Sequence, residues 1–222
     1  MSAGRPPRIQ VTGRARSGKT TVRNALSLIS AEETRPVDQP RQTDPTLDAD
    51  LVLYILPARA DPADRRLLAT LPPESTLVIL NKADTLAPRW SDAATAADTL
   101  TTELGLLTLP FIADLAVHTR TGALTDPDLR TLRRLLAHPD PRRLLSHDLF
   151  ADPAGPDAEH RRALLDRWDL HGISCALTAL HHDPTLTPPA LLQILHCASG
   201  IEPLHRELQH RYEATAARLR HR

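Results

Sequence analysis

The sequence predicts an α/β fold, with a parallel sheet, flanking helices and a C-terminal α-helical extension. Two continuous apolar runs, Leu51–Leu56 and Thr76–Leu80, have the pattern of strands that are buried on both faces of a sheet. Between and after these runs, apolar residues recur at helical spacing. Strands that alternate with helices are joined by right-handed crossovers, which favours a doubly wound parallel sheet.

The elements follow one another in a regular order. Ile9–Val11 is a short β-prone run that leads into a glycine-containing loop and then into a segment with helical spacing. Pro62 and Gly105 mark the start of one helix and the end of another, since proline favours the first helical turn and glycine the position after the last. The remaining predictions are helices over residues 19–30, 62–70, 91–104 and 126–137 and a strand over residues 107–113.

The C-terminal third shows no strand signal beyond about residue 138. Its apolar residues recur at helical spacing over residues 157–182, with a break expected at Gly172, and again over residues 188–198 and 202–220. Four prolines between residues 139 and 156 mark a linker. The predicted domains are therefore an α/β domain over residues 1–138 and an α-helical extension over residues 139–222.

Composition narrows the class of protein. The 27 basic and 27 acidic residues balance, which argues against a specific nucleic-acid partner. Two widely spaced cysteines, Cys175 and Cys197, argue against a disulfide scaffold, and no apolar window reaches the length of a membrane span. The histidines show no recognised pattern of metal ligands. A cytoplasmic protein is expected.

Lysine is rare in this arginine-rich chain. Of the 27 basic residues only Lys19 and Lys82 are lysine, and each lies in a short motif described below. A lysine ammonium acts as a compact point charge, which the planar guanidinium of arginine does not reproduce. The retention of lysine at these two positions strengthens both motif assignments together.

The first motif runs from Gly13 to Thr20 and matches the phosphate-loop (P-loop) pattern G-x-x-x-x-G-K-[ST]. Its glycines let backbone N–H groups face phosphate oxygens, and it lies between a predicted strand and a predicted helix, as the pattern requires. Lys19 is expected to contact the β- and γ-phosphates, and the Thr20 hydroxyl to bind Mg²⁺. The candidate nucleotide-binding residues are Gly13, Arg14, Ala15, Arg16, Ser17, Gly18, Lys19, Thr20 and Thr21.

The second motif, Asn81-Lys-Ala-Asp84, directly follows the second buried strand. The Asp84 carboxylate can accept two hydrogen bonds, from N1–H and the exocyclic amine of guanine, and adenine offers no such pair of donors. Asn81 is expected to tie this loop to the phosphate loop, and the Lys82 stem to cover the base. These residues predict binding of GTP and GDP rather than ATP.

The phosphate loop, the buried strand that ends at Leu56 and the N-K-A-D motif together resemble the translation-factor-related class of P-loop GTPases. Within that class the Era-like and bacterial dynamin-like families are the nearest, partly because of the helical C-terminal extension. The resemblance covers residues 8–137 and implies a P-loop NTPase sheet, GTP and GDP as ligands, Mg²⁺ as cofactor, and GTP hydrolysis.

The same resemblance implies a switch threonine and a D-x-x-G motif, for which only residues 31–48 remain. The best candidate for D-x-x-G is Asp38-Gln-Pro-Arg41, in which Arg41 replaces the glycine. Asp38 then becomes a candidate catalytic residue and second Mg²⁺ ligand, and Gln42 falls where related enzymes orient the attacking water. Thr34 and Thr43 are the threonines near the switch position.

Two further assignments concern the rim of the expected site. A fifth family motif is expected near residues 112–115, where the backbone N–H of Ala113 would contact the guanine oxygen. Arg14 and Arg16 have two interpretations, an arginine finger within the same chain or permissive loop positions that point into solvent. The second interpretation is favoured.

Three functional hypotheses remain open. The first is a GTP-binding protein with slow intrinsic hydrolysis, and the second is a non-hydrolysing relative that acts as a structural partner of a larger dynamin-like GTPase. The third is an ATP-dependent P-loop kinase, which leaves Asp84 without a role. The amphipathic C-terminal helices predict contact with a protein partner or with a membrane surface, and the sequence leaves these two alternatives open.

Overall fold

Five parallel strands form the sheet in the computed structural model, which describes residues 5–39, 41, 43–86 and 89–220. The strand order is β2-β1-β3-β4-β5. The bounds are Ile9–Gly13 for β1, Glu32–Glu33 for β2, Leu51–Pro57 for β3, Thr76–Asn81 for β4 and Thr108–Phe111 for β5. Because every pairing is parallel, the carboxyl ends of the strands meet at one edge of the sheet.

Helices occupy most connections and the C-terminal part of the chain. Their bounds are Lys19–Ala25 for α1, Pro62–Leu68 for α2, Trp90–Leu104 for α3, Ala113–Thr121 for α4, Asp126–Ala137 for α5, His147–Phe150 for α6, Ala158–His182 for α7, Pro188–Ala198 for α8 and Ile201–Arg220 for α9. The predicted fold, a parallel sheet with flanking helices and C-terminal helices, is confirmed. None of the helices described is both long enough and apolar enough to span a bilayer.

The local sequence explains where several elements begin and end. β3 and β4 lie in the centre of the sheet, and every residue of β4 is buried, as their apolar runs predict. Helix α2 begins after Asp61, which forms a capping box with Asp64, and Pro62 occupies its first turn. Helix α3 ends at Gly105, whose φ of 65° lies in the left-handed region that glycine favours.

Several element predictions are wrong in detail. The strand β2 and the helix α4 were not expected, and α1 ends at Ala25 rather than near residue 30. The break in α7 lies at Asp169, with φ 54° and ψ 178°, rather than at Gly172. The Asp169 carboxylate accepts the N–H of Leu170 and lies 2.9 Å from Nε2 of His147, so it satisfies a backbone group that the kink leaves without a helical partner.

The chain divides into two compact units. One comprises Met1–Ala113 together with Gly200–Arg222, and the other comprises Asp114–Ser199. Helix α9 therefore belongs to the unit that contains the sheet, although its sequence reads as part of the C-terminal extension. The domain boundary predicted between residues 138 and 139 stays a prediction, because a division by packing does not test which segments fold independently.

Arg211 attaches α9 to the start of β4. Its guanidinium donates hydrogen bonds to the carbonyl oxygens of Pro73, at 2.6 Å, and Thr76, at 2.8 Å. Glu207, one turn earlier on the same helix, accepts a further hydrogen bond from Arg211 at 2.6 Å. The side chain of Arg211 is only 13% exposed, so these bonds are well shielded from water.

We expect Arg211→Ala to lower the free energy of unfolding by about 1.5–3 kcal/mol, because hydrogen bonds from a charged donor to two carbonyls are lost. Arg206, which is exposed on the same helix, provides the control, and Arg206→Ala should change stability by less than about 0.5 kcal/mol. Urea unfolding monitored by circular dichroism measures both. Equal losses in the two variants would contradict a specific role for Arg211.

Candidate functional site

The phosphate loop connects β1 to α1 at the carboxyl edge of the sheet. Gly13 ends β1 with a φ of 143°, and a Cβ atom there would lie 2.4 Å from the carbonyl oxygen of Ile55 on β3. A side chain at this position therefore requires the sheet to open, so glycine is needed where the loop leaves the sheet. Ala15, Arg16 and Thr20 are exposed on the loop, and Thr21 is half-buried in the first turn of α1.

Lys19 is folded back against the loop. Its ammonium donates hydrogen bonds to the carbonyl oxygens of Gly13, at 3.2 Å, and Arg14, at 3.0 Å. The residue is 7% exposed. Burial lowers the pKa of Lys19, and the nearby charges of Glu33 and Asp38 oppose that shift. The ammonium is thus held inside the curve of the loop, where a P-loop lysine meets phosphate oxygens.

Asn81 joins three separate segments of the chain. Its Nδ2 donates to the carbonyl oxygen of Ser17 at 3.0 Å, and its Oδ1 accepts from the backbone N–H of Ala113 at 3.2 Å. The residue is 1% exposed. The structure thus contains the expected hydrogen bond between Asn81 and the phosphate loop. The N–H of Ala113 is used in this bridge, and its expected contact with a guanine oxygen stays a prediction.

Gly18 leaves the space that this bridge needs. Its φ is 90°, and a Cβ atom would lie 2.3 Å from Nδ2 of Asn81. An alanine at this position would therefore be strained in its backbone and would displace the Asn81 side chain. The segment over residues 81–85, which begins at Asn81, is called the base-side loop below. The second glycine of the motif is required by the contact with this loop as well as by the phosphate loop.

The rest of the second motif forms a tight turn after β4. Lys82 is exposed and has a φ of 58°, and a 3₁₀ turn follows over Ala83–Thr85. The backbone N–H and the hydroxyl of Thr85 both donate to the carbonyl oxygen of Lys82, at 3.0 and 2.8 Å. This turn holds Asp84 half-buried, three residues after Asn81.

The acidic residue beside Thr20 is Glu33. The Thr20 hydroxyl lies 3.0 and 2.9 Å from the two oxygens of the Glu33 carboxylate. Glu33 ends β2 and pairs with Val11 of β1, so it lies at the strand end adjacent to the phosphate loop. Sequence reasoning missed this residue because a strand of two residues has no detectable pattern. The only available signal was an acidic residue about a dozen positions after the P-loop.

Glu33, and not Asp38, is therefore the acidic residue beside Thr20, and the assignment of D-x-x-G to residues 38–41 stays a prediction. Thr34 continues β2: its N–H donates to the carbonyl oxygen of Val11 at 3.0 Å, and its hydroxyl donates to that of Thr12 at 2.8 Å. Pro36 lies three residues after Glu33, and proline has no backbone N–H to offer a phosphate. Thr34 is engaged with β1, and its place as a switch threonine stays a prediction.

Asp38 lies at the phosphate loop, but not beside Thr20. Its Oδ1 accepts the backbone N–H of Ala15 at 2.9 Å. Arg41 adopts a φ of 64°, and the hydroxyl of Thr43 accepts a hydrogen bond from Arg35 at 3.2 Å. Gln42 lies outside the described residues. The structure thus brings Asp38 to the loop in a different position from the one expected of a magnesium ligand.

Arg14 points away from solvent, which corrects the favoured interpretation of this residue. Its side chain is 17% exposed and forms ion pairs with Asp61 and with Asp64 at the start of α2. Nε of Arg14 lies 2.9 Å from Oδ2 of Asp64 but is not aligned for a hydrogen bond. Tyr54 donates to the other Asp64 oxygen at 2.8 Å, and burial followed by this acidic neighbour raises the pKa of the phenol. Arg16 is exposed, as expected.

The residues around Thr20 fit Mg²⁺. Mg²⁺ in nucleotide sites is held by one or two protein oxygens together with phosphate oxygens and water. The Thr20 hydroxyl and the Glu33 carboxylate are oxygen ligands of that kind and already lie within 3.0 Å of each other. Among the described residues no group of three or more His, Cys, Asp or Glu side chains could hold a metal.

No protein-family model and no curated protein matches this sequence. Several solved structures resemble the chain weakly, including the following two. One is a mutant of S. thermophilus NFeoB bound to GDP, with 14% identity and a TM-score of 0.36 over 88% of this chain and 99% of that one. The other is the cytosolic domain of the T. maritima FeoB iron transporter in the GMPPNP form, with 12% identity and a TM-score of 0.33 over 97% of this chain and 98% of that one.

Likeness at these values carries no argument about ligand or activity, so the functional argument rests on the site itself. Both structures carry the FeoB name. The comparisons therefore add no support for the finer expectation of an Era-like or dynamin-like family.

We expect Gly18→Ala to lower the free energy of unfolding by about 1–3 kcal/mol more than Gly105→Ala. Both glycines have positive φ, but a Cβ atom at Gly105 meets nothing within 4 Å, whereas one at Gly18 meets Asn81. Gly105→Ala therefore measures the backbone strain alone, about 1–2 kcal/mol. Urea unfolding measures the difference, and equal losses would show that the contact with Asn81 is unimportant.

We expect Arg14→Ala to lower the free energy of unfolding by about 3 kcal/mol, because Asp64, which is fully buried, loses its charged partner. Arg16→Ala, at an exposed position of the same loop, should cost less than about 0.5 kcal/mol. Unfolding in urea without nucleotide checks both values. A loss in Arg14→Ala no larger than that in Arg16→Ala would contradict the ion-pair network.

Proposed function

We propose that this protein binds GDP and GTP together with Mg²⁺ and hydrolyses GTP slowly. The observation that carries the proposal is the Asn81 side chain, which bonds the phosphate loop at Ser17 and the start of α4 at Ala113. This bridge fixes the spacing between a phosphate-binding loop and a base-recognition loop. An isolated sequence match to either motif would not require such a bridge.

The base would be recognised by Asp84. The turn after Asn81 holds its carboxylate half-buried, where two acceptor oxygens match the N1–H and exocyclic amine of guanine. The exposed Lys82 stem would cover one face of the base. The carboxylate matches guanine and not adenine, which argues against the alternative of an ATP-dependent kinase.

The phosphates would be held by the loop from Gly13 to Thr20. Lys19 would turn its ammonium from the carbonyls of Gly13 and Arg14 to the phosphate oxygens. Thr20 would bind Mg²⁺ directly, and Glu33 would hold the ion's hydration shell or the Thr20 hydroxyl. The ion supplies charge stabilisation to the phosphate oxygens.

Slow hydrolysis follows if residues 33–36, which end in Pro36, take the place of the D-x-x-G motif. Pro36 offers no backbone N–H to a γ-phosphate, and Arg14 is committed to Asp61 and Asp64 rather than aimed at the phosphates. Phosphoryl transfer depends on positioning and on charge stabilisation. The loss of these donors therefore lowers the rate of GTP hydrolysis more than the affinity for GTP.

Pro36 also favours a second candidate function: a protein that binds nucleotide without turnover and acts as an assembly partner, as the dynamin-like resemblance suggests. Contact through the C-terminal helices with a protein or a membrane surface, and a cytoplasmic location, belong to the same proposal. The two candidates differ in a single measurable property, the release of phosphate from GTP.

Isothermal titration with GDP, GTP and ATP in Mg²⁺ tests the proposal. We expect binding of both guanine nucleotides, no binding of ATP, and at least a tenfold loss of affinity in Lys19→Ala, because the P-loop ammonium is removed. Phosphate release measured under single-turnover conditions then separates slow hydrolysis from none. An absence of guanine-nucleotide binding, or equal affinity for ATP, would overturn the proposal.

Asp84→Asn provides a sharper test of base recognition. An asparagine presents one acceptor and one donor, which match the N1–H and the C2 carbonyl of xanthine but not the two donors of guanine. We expect this variant to lose affinity for GDP by a factor of about ten or more and to gain affinity for xanthosine diphosphate. Asp98→Asn, at an exposed position of α3, is the control and should change neither.

A further inference from the structure

One short segment, residues 33–38, places two carboxylates on donors of the phosphate loop. Glu33 accepts the hydroxyl of Thr20, and Asp38 accepts the backbone N–H of Ala15. Both charges also act on Lys19. In a P-loop, a polyphosphate uses this hydroxyl, this backbone N–H and the charge of this ammonium. Here the two carboxylates act on all three groups.

The segment is held in place along its length. The N–H of Thr34 bonds to the carbonyl of Val11, the Thr34 hydroxyl bonds to that of Thr12, and the N–H of Val37 bonds to the carbonyl of Gly13 at 3.3 Å. Val37 is itself buried, at 6% exposed. Asp38 lies in a turn directly after Val37, so a segment that is hydrogen-bonded to β1 at Thr34 and Val37 brings it to Ala15.

The chemistry of the two carboxylates differs. Glu33 contacts the hydroxyl expected to bind Mg²⁺, so a metal ion would attract it and help to hold it. Asp38 contacts a backbone N–H, which is the kind of group that holds a phosphate oxygen. A carboxylate and a phosphate oxygen compete for one N–H and repel each other when both are near it.

We infer that Asp38 is a specificity-determining residue that competes with the nucleotide phosphates for the backbone N–H of Ala15, and that it weakens triphosphate binding more than diphosphate binding. The inference rests on the proposed function of this site. GTP carries more negative charge than GDP, so repulsion by the Asp38 carboxylate is greater for GTP. The negative charge of Asp38 therefore biases the protein toward binding the diphosphate.

In this role Asp38 affects nucleotide affinity in the opposite direction from a magnesium ligand. If Asp38 held Mg²⁺, removal of its charge would weaken nucleotide binding in the presence of the metal. If it competes with phosphate, removal of its charge tightens binding with and without the metal. Glu33→Gln should behave in the first way, because Glu33 contacts Thr20.

The test compares Asp38→Asn and Asp38→Ala with Asp44→Asn, which removes the same charge at an exposed position six residues later. Isothermal titration uses GDP, GTP and inorganic tripolyphosphate, in Mg²⁺ and in EDTA. We expect both Asp38 variants to bind GTP and tripolyphosphate at least about threefold to tenfold more tightly, with a smaller gain for GDP and no change in Asp44→Asn. Unchanged or weaker binding in the Asp38 variants would overturn the inference.

A second readout needs no nucleotide. Amide hydrogen exchange at Ala15 should accelerate in Asp38→Ala, because the N–H loses its acceptor, and unchanged exchange would also overturn the inference. If tripolyphosphate shows the effect of Asp38 and guanine nucleotides do not bind, the proposed guanine specificity fails and the competition stands. If guanine nucleotides bind and the Asp38 variants match the wild type, the competition fails and the proposed function stands.

Discussion

The candidate site depends on the buried bridge that Asn81 forms between Ser17 and Ala113. The bridge imposes a requirement in turn, since it fits only when Gly18 carries no side chain. The phosphate loop and the base-side loop are therefore not independent motifs. Asn81 of the base-side loop bonds the phosphate loop at Ser17, and Gly18 of the phosphate loop leaves the space that Asn81 occupies. This coupling converts two short patterns, separated by 63 positions between Gly18 and Asn81, into one binding surface.

The short connection between α1 and β3 determines the acidic side of the site. Among the described residues between Ala25 and Leu51 the strand β2 has two residues and ends at Glu33, and the segment to Asp38 runs close to the phosphate loop. Hydrogen bonds from Thr34 and Val37 to the β1 segment keep it there. Pro36 lies within this segment and has no backbone N–H, so it has no main-chain donor to direct at a ligand of the loop.

Sequence reasoning predicted the parts of the fold that have strong local signals. Buried strands such as Leu51–Pro57 show as apolar runs, and the P-loop and the N-K-A-D turn show as fixed residue types at fixed spacing. β2 was missed because two residues carry no periodicity. The ion pairs of Arg14 were missed because their acidic partners lie 47 and 50 positions away, where only the folded chain brings α2 against the loop.

Acidic residues offset the positive charge of the phosphate loop. Arg14 is neutralised by Asp61 and Asp64, and Lys19 lies under the influence of Glu33 and Asp38, so the loop presents less positive charge than its sequence suggests. The proposed nucleotide binding would therefore depend on geometric fit, on Mg²⁺ and on base recognition more than on attraction to a basic loop. A site of this kind favours a ligand that brings its own cation, since the metal offsets both the phosphate charge and the carboxylates that surround it.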